Sequence, residues 1–147
     1  MPKFKNMNQL FDYIQSSSAM VMQQIVNEDI IPIMLDVIRA EVYDVYEPKV
    51  YERRFANDGL LDQTNFDVQM DISKDFIQAT VRNTTRPNDK SEGRYLDIMI
   101  LEGTPNMPME RDFYEATRLI LRERLPQIVK ERFARYGIKA DLKVSVK

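Results

Sequence analysis

The spacing of the apolar residues changes twice along the chain, and those changes limit what it can fold into. From about Met7 to Asn27, the residues Leu10, Phe11, Ile14, Val21, Met22, Ile25 and Val26 recur mostly three or four positions apart. That spacing draws one apolar stripe along a helix. Ser16-Ser17-Ser18 interrupts the stripe, and a bend or weak turn is expected there. Beyond Glu28-Asp29, the run Ile30-Ile31-Pro32 suits a helix start, because acidic side chains favour the N-terminal end and proline the first turn. Ile31, Met34, Leu35, Ile38, Val42 and Val45 then continue the helical spacing. The reading is one long helix, or two nearly continuous ones, ending near Tyr46-Glu47-Pro48, since the residue before a proline resists helical geometry.

The middle of the chain alternates instead. Val50 to Phe55 reads as an extended segment, and Asn57-Asp58-Gly59 is a turn signal. Phe66, Val68, Met70 and Ile72 alternate with Asp67, Gln69 and Asp71, and Phe76 to Arg82 does much the same after the turn-like Ser73-Lys74-Asp75. The two runs predict an antiparallel hairpin with one face buried and one wet. Asn83 to Gly93 is a polar loop rich in turn formers, the segment expected to be mobile.

Helical spacing then returns. Tyr95 to Leu101 fits either a buried strand or a short helix stopped by Gly103. From Met109, Phe113, Ala116, Leu119 and Ile120 lie on one side, with Glu110, Arg111, Glu115, Arg118 and Arg122 largely on the other. Leu125-Pro126 marks a break or a new first turn, and Ile128, Val129 and Phe133 carry the stripe on to a stop at Tyr136-Gly137. Ile138, Ala140, Leu142, Val144 and Val146 alternate with polar residues, which predicts a terminal strand. The expected class is α+β: a long N-terminal helix (or two) and an antiparallel β-sheet of three to four strands, including a C-terminal strand, packed against late helices. At 147 residues the chain reads as a single domain, 1–147, in which residues 1–27 can stand out as an extended helical arm.

Composition closes off most chemistry. The chain has no Cys and no His, which removes disulfides, thiolate and imidazole metal sites, cysteine nucleophiles and the Ser-His dyad. Carboxylate chemistry, a Lys Schiff base or an all-oxygen Mg²⁺ site survive, and each needs groups converging in one pocket. Asp67, Asp71 and Asp75 do not form one from sequence: Asp67 and Asp71 share a strand face but lie about 13 Å apart along it. A formal net charge of −2 argues against nucleic-acid gripping as the main task. The arginines of the late helix are interleaved with Glu110, Asp112, Glu115, Glu123 and Glu131, a pattern of intrahelical ion pairs. The nine Met suit core filling better than adaptable interface surface. No apolar run approaches the roughly 20 residues of a membrane helix, and Met1 to Asn6 lacks the apolar core of a signal peptide, so synthesis and use in a cytoplasm are expected. No enzyme activity, cofactor or metal is expected.

The order of features resembles a known family. Tyr43-Asp44-Val45-Tyr46-Glu47-Pro48-Lys49-Val50-Tyr51-Glu52-Arg53-Arg54 leads to Gly59-Leu60-Leu61-Asp62 and then to the hairpin. Tyr95 to Thr104 and the helix opening Glu110-Arg111-Asp112-Phe113-Tyr114-Glu115-Ala116-Thr117 follow. Over most of its length the chain is similar to the small neck or tail-completion proteins of tailed phages that infect Gram-positive bacteria, and more distantly to the HK97 gp10-type head–tail joining family.

That resemblance implies a virion protein at the head–tail junction, made in the host cytoplasm. It implies a homo-oligomeric ring stacked on other neck and tail proteins (portal adaptor, stopper, tail terminator), with DNA only passing through a lumen, no specific DNA binding and no membrane. Exposed strand edges, or the long N-terminal helix laid across a neighbour, offer self-surfaces. Tyr46, Tyr51, Arg53, Arg54, Leu60 and Leu61 are the candidate partner interface. The competing readings are a small metal-dependent carboxylate enzyme such as a nuclease, and a bacterial adaptor module.

Overall fold

The first helix begins where Asn6 supplies a cap: its Oδ1 accepts the Gln9 N–H at 2.9 Å, while Gln9 Oε1 accepts the Lys5 N–H at 2.9 Å. These two bonds satisfy backbone donors that a helix start otherwise leaves unmet. The computed structural model describes residues 3–44, 59–86, 96–102, 112–138 and 143–147. Element order is α1 (Met7–Ile25), α2 (Ile31–Ile38), β1 (Phe66–Ile72), β2 (Ile77–Asn83), α3 (Leu96–Glu102) and α4 (Phe113–Arg135).

Helices α1 and α2 are one continuous rod. A π turn over Val26–Ile30 joins them, and a second, Arg39–Tyr43, extends α2. From Met7 to Tyr43 the rod is about 55 Å long. Pro32 explains the first π turn, because it offers no N–H and its ring crowds the carbonyl four residues back. The chain widens instead of breaking: the Ile31 N–H reaches the Val26 carbonyl, five residues back. A π turn adds one residue to a helix, and one residue turns the downstream face by about 100°. That rotation brings the buried residues of α2 (Ile31, Ile33, Met34, Val37 and Ile38) onto the side where α1 buries Val21 and Ile25.

Helix α4 lies against both parts of the rod, and α1 also meets β2. Its buried stripe is Phe113, Thr117, Leu121, Leu125, Val129 and Phe133. Asp112 Oδ1 caps the start by accepting the Glu115 N–H at 2.8 Å. At the far end Gly137 takes a positive φ of 75°, and the Gly137 and Ile138 N–H groups close back on Ala134 and Phe133 carbonyls. This is the left-handed stop that glycine makes inexpensive. Arg132 clamps α4 to the first π turn: it pairs with Glu28, and its Nη2 lies 3.0 Å from Asp29 Oδ2.

The hairpin forms as its alternation predicts. Val68 faces Val81, Met70 faces Ala79 and Ile72 faces Ile77 across an antiparallel register. Ser73 makes the turn, its Oγ accepting the Asp75 and Phe76 N–H groups. The run that fitted either a strand or a helix resolves, from Leu96 on, as the helix α3.

Five expectations are corrected. The sheet has two strands among the described residues, not three to four. No strand occupies Lys143–Lys147: Val144 and Val146 turn toward the core, and Arg118 Nε donates to the Lys147 carbonyl at 3.2 Å. Alternation there records one covered face, not a neighbouring strand. The serine triplet makes no bend, and Ser17 and Ser18 are buried within an unbroken α1. Pro126 does not end α4; an interior proline costs about 3 kcal/mol, which burial of Leu121, Leu125 and Val129 on either side offsets. Leu119 faces solvent, away from the stripe assigned to it. The predicted extended segment Val50 to Phe55, the Asn57-Asp58 turn, most of the Asn83 to Gly93 loop, and Ala140 and Leu142 lie outside the described residues.

Ile25 is wholly buried where the first π turn begins. Ile25→Ala is expected to lower unfolding free energy by about 2–5 kcal/mol, and Met7→Ala to change it by less than about 0.5 kcal/mol. Urea titration followed by circular dichroism checks both; equal effects would contradict this packing.

Candidate assembly surfaces

The base of the hairpin is tied down by polar side chains buried together. Tyr114, on the first turn of α4, donates its hydroxyl proton to Asp97 Oδ2 at 2.6 Å and accepts the Asn83 N–H at 2.9 Å. Arg82 Nε donates to the same Asp97 oxygen at 3.1 Å. Asn83 Nδ2 donates to the Leu60 carbonyl at 3.1 Å, and its Oδ1 accepts the Thr85 N–H at 3.0 Å. The Gly59 carbonyl accepts from Thr85 Oγ1 and from Asn65 Nδ2. The residues Gly59 to Leu61, the end of β2, α3 and α4 are thereby joined. Asp97, Asn83 and Thr85 are buried, and a buried polar group left without a partner is costly, so the connections act as a set.

Of the six residues proposed from sequence as a partner interface, Leu60 and Leu61 are 2% and 7% exposed and belong to the core. Tyr46, Tyr51, Arg53 and Arg54 lie outside the described residues. Asp67, Asp71 and Asp75 are all exposed on the hairpin, and no group of three carboxylates gathers among the described residues. Along α4, Glu115 pairs with Arg118 at 3.2 Å and with Arg122 at 3.5 Å, the interleaved pattern expected.

Two surface features were not foreseen. One is a cleft of about 210 Å³ between α2 and α4, with Val37 and Ile120 in its walls and Asp36, Glu41 and Arg124 at its edges. The other is an overhang. The first turns of α1 extend past the core and leave Met7 and Phe11 59% and 58% exposed, while Ile72 and Phe76 at the hairpin tip are 46% and 54% exposed. Gln15 Nε2 donates to the Ser73 carbonyl at 3.2 Å, which holds the tip beside α1. Phe11 and Ile14 already shared a stripe in sequence. What sequence could not give was where the core ends. For the buried knot the sequence did hold a signal, the lone acid of Leu96-Asp97-Ile98-Met99-Ile100, since an aspartate in an apolar run needs partners.

Burial first, and then the hydrogen bond to Asp97, raise the Tyr114 hydroxyl pKa well above its ordinary value of 10.0. A group held protonated in the fold but not in the unfolded chain stabilises fully below the unfolded value, and that contribution is lost as pH rises above it. Tyr114→Phe is expected to lower stability by about 1–3 kcal/mol at pH 7. It should also flatten the decline above about pH 10 relative to the unsubstituted chain. Chemical denaturation between neutral and alkaline pH measures both, and parallel curves for the two proteins would refute the assignment.

No curated protein and no solved structure matches the chain, and no helix among the described residues is long and apolar enough to cross a membrane. A family model does match, from residue 6 to residue 136. Spanning nearly all of the sequence, that match makes the chain a member of the YomN family, which is phage-associated.

Proposed function

We propose that this protein is a structural assembly component of the tailed-phage head–tail connector, joining head to tail or completing the tail through ring-forming contacts. It works by shape: copies associate, dock on a preceding neck protein such as a portal adaptor or stopper, and leave a lumen through which DNA passes. The observation that carries the reading is the exposed apolar overhang in a chain of a phage-associated family. Large apolar side chains clustered on a surface mark sites of protein contact. The absence of Cys and His agrees with a part that makes and breaks no covalent bonds.

In purified virions the protein is expected at the head–tail junction, visible as a ring in an electron-microscopy reconstruction of the neck. Disrupting its gene should leave DNA-filled heads without functional tails. Its absence from the particle, or a metal-dependent nuclease activity lost on substituting Asp67, Asp71 and Asp75 with alanine, would remove the proposal.

A further inference from the structure

The overhang has two chemically different ends. Met7, Phe11 and Ile14 fall on one stripe of α1, the same side on which Val21 and Ile25 enter the core further along. The apolar face of the hairpin likewise runs outward, from Phe66 packed on the core to an exposed Ile72. Beyond Phe11 toward the N-terminus lie exposed Lys3 and Lys5, with no acidic residue before Asp12. In the other direction the Gln15–Ser73 hydrogen bond brings up the hairpin tip, with exposed Asp71 and Asp75 around Lys74. The basic end starts about 9 Å from Phe11 along the helix axis, and the acidic tip stands about 6 Å away on the opposite side.

A surface basic at one end, apolar in the middle and acidic at the other is complementary to itself under a two-fold rotation. We propose that a second copy of this chain covers it, with the two α1 helices packed antiparallel and crossing at Phe11. In that arrangement Met7 of each copy lies opposite Gln15 of the other, and Lys3 and Lys5 approach the other copy's Asp71 and Asp75. Four half-exposed apolar side chains, Met7, Phe11, Ile14 and Ile72, at roughly 100 Å² each, give about 400 Å² per copy and about 800 Å² for the pair, the size of a weak contact. The pair therefore forms reversibly, aided by the charged ends. This two-fold contact is separate from the head-to-tail contacts that close a ring, and it does not depend on a place in the virion. A two-fold pair would form in a chain of any function, and virion reconstruction tests the other proposal separately.

The lack of cysteine makes a direct test available. Single substitutions Phe11→Cys and Leu119→Cys are both at exposed apolar positions, and only the first lies at the proposed crossing. Under mild oxidation Phe11→Cys should become a disulfide-linked dimer at least about tenfold faster than Leu119→Cys. By sedimentation, the unsubstituted chain should dimerise at about 100 µM or below, and Phe11→Asp should weaken the dimer at least about tenfold. Lys3→Glu with Lys5→Glu should weaken it as well, and adding Asp71→Lys with Asp75→Lys should restore it. These positions are exposed, and unchanged circular dichroism confirms that each variant is folded. A folded chain that stays monomeric at about 100 µM, equal cross-linking at the two positions, or a charge reversal that fails to rescue would overturn the proposal.

Discussion

Burial of α2 against α4 is the constraint to which the other elements answer. Ile31, Ile33, Met34, Val37 and Ile38 sit in this layer, faced by Leu121, Leu125, Val129 and Phe133. Burying so many branched and aromatic side chains is the dominant favourable contribution in a chain this size. It also explains why each helix tolerates a proline. Pro32 is absorbed by a π turn and Pro126 by packing on both sides, whereas either would end a helix with nothing at stake across the interface. Arg132, paired with Glu28 and Asp29, sits where the two helices meet at that π turn. The Asp29 Oδ2 contact is ionic, close enough for charge attraction but out of line for a hydrogen bond.

The hairpin depends on this layer and on the buried polar set beside it. Two strands alone are marginal in water, and β1 and β2 gain their support from α1 on one side and from Asn83, Asp97 and Tyr114 at the base. Support weakens along the strands: Phe66 and Asn83 are held, while Ile72 and Phe76 stand clear at the tip. The same gradient along α1, from Ile25 outward to Met7, puts the two unsupported ends side by side.

Local rules made much of this legible. Spacings of three and four located the long rod and α4, alternation located the hairpin, and Tyr136-Gly137 located a helix stop. The errors about the sheet and its C-terminal strand share an origin, in that periodicity reports which face of a segment is covered and not what covers it, whereas the bend at Ser16-Ser17-Ser18 and the break at Pro126 came from local breaker rules that packing overrides. Val144 and Val146 alternate because they rest on the core, and the pattern cannot separate that from a strand in a sheet. Leu119 fits a helical stripe in sequence but falls outside it, because the buried row advances four residues at a time from Phe113 to Phe133. Among the proposed interface residues, Leu60 and Leu61 carry the composition of a contact surface and of a core equally well. Only the three-dimensional arrangement assigns them to the core.

The π turns also limit how this rod can change length. Because Val26–Ile30 holds one residue more than a regular turn, losing a single residue there would leave a regular helix with α2 still facing the core, but with Pro32 crowding the carbonyl four residues back. Losing a whole turn would preserve the facing but pull Glu28 and Asp29 away from Arg132. One residue can thus be lost from this stretch at the cost of the proline clash alone, whereas a further single insertion or deletion would turn α2 by about 100°, and related chains that share the fold should differ here by at most that residue.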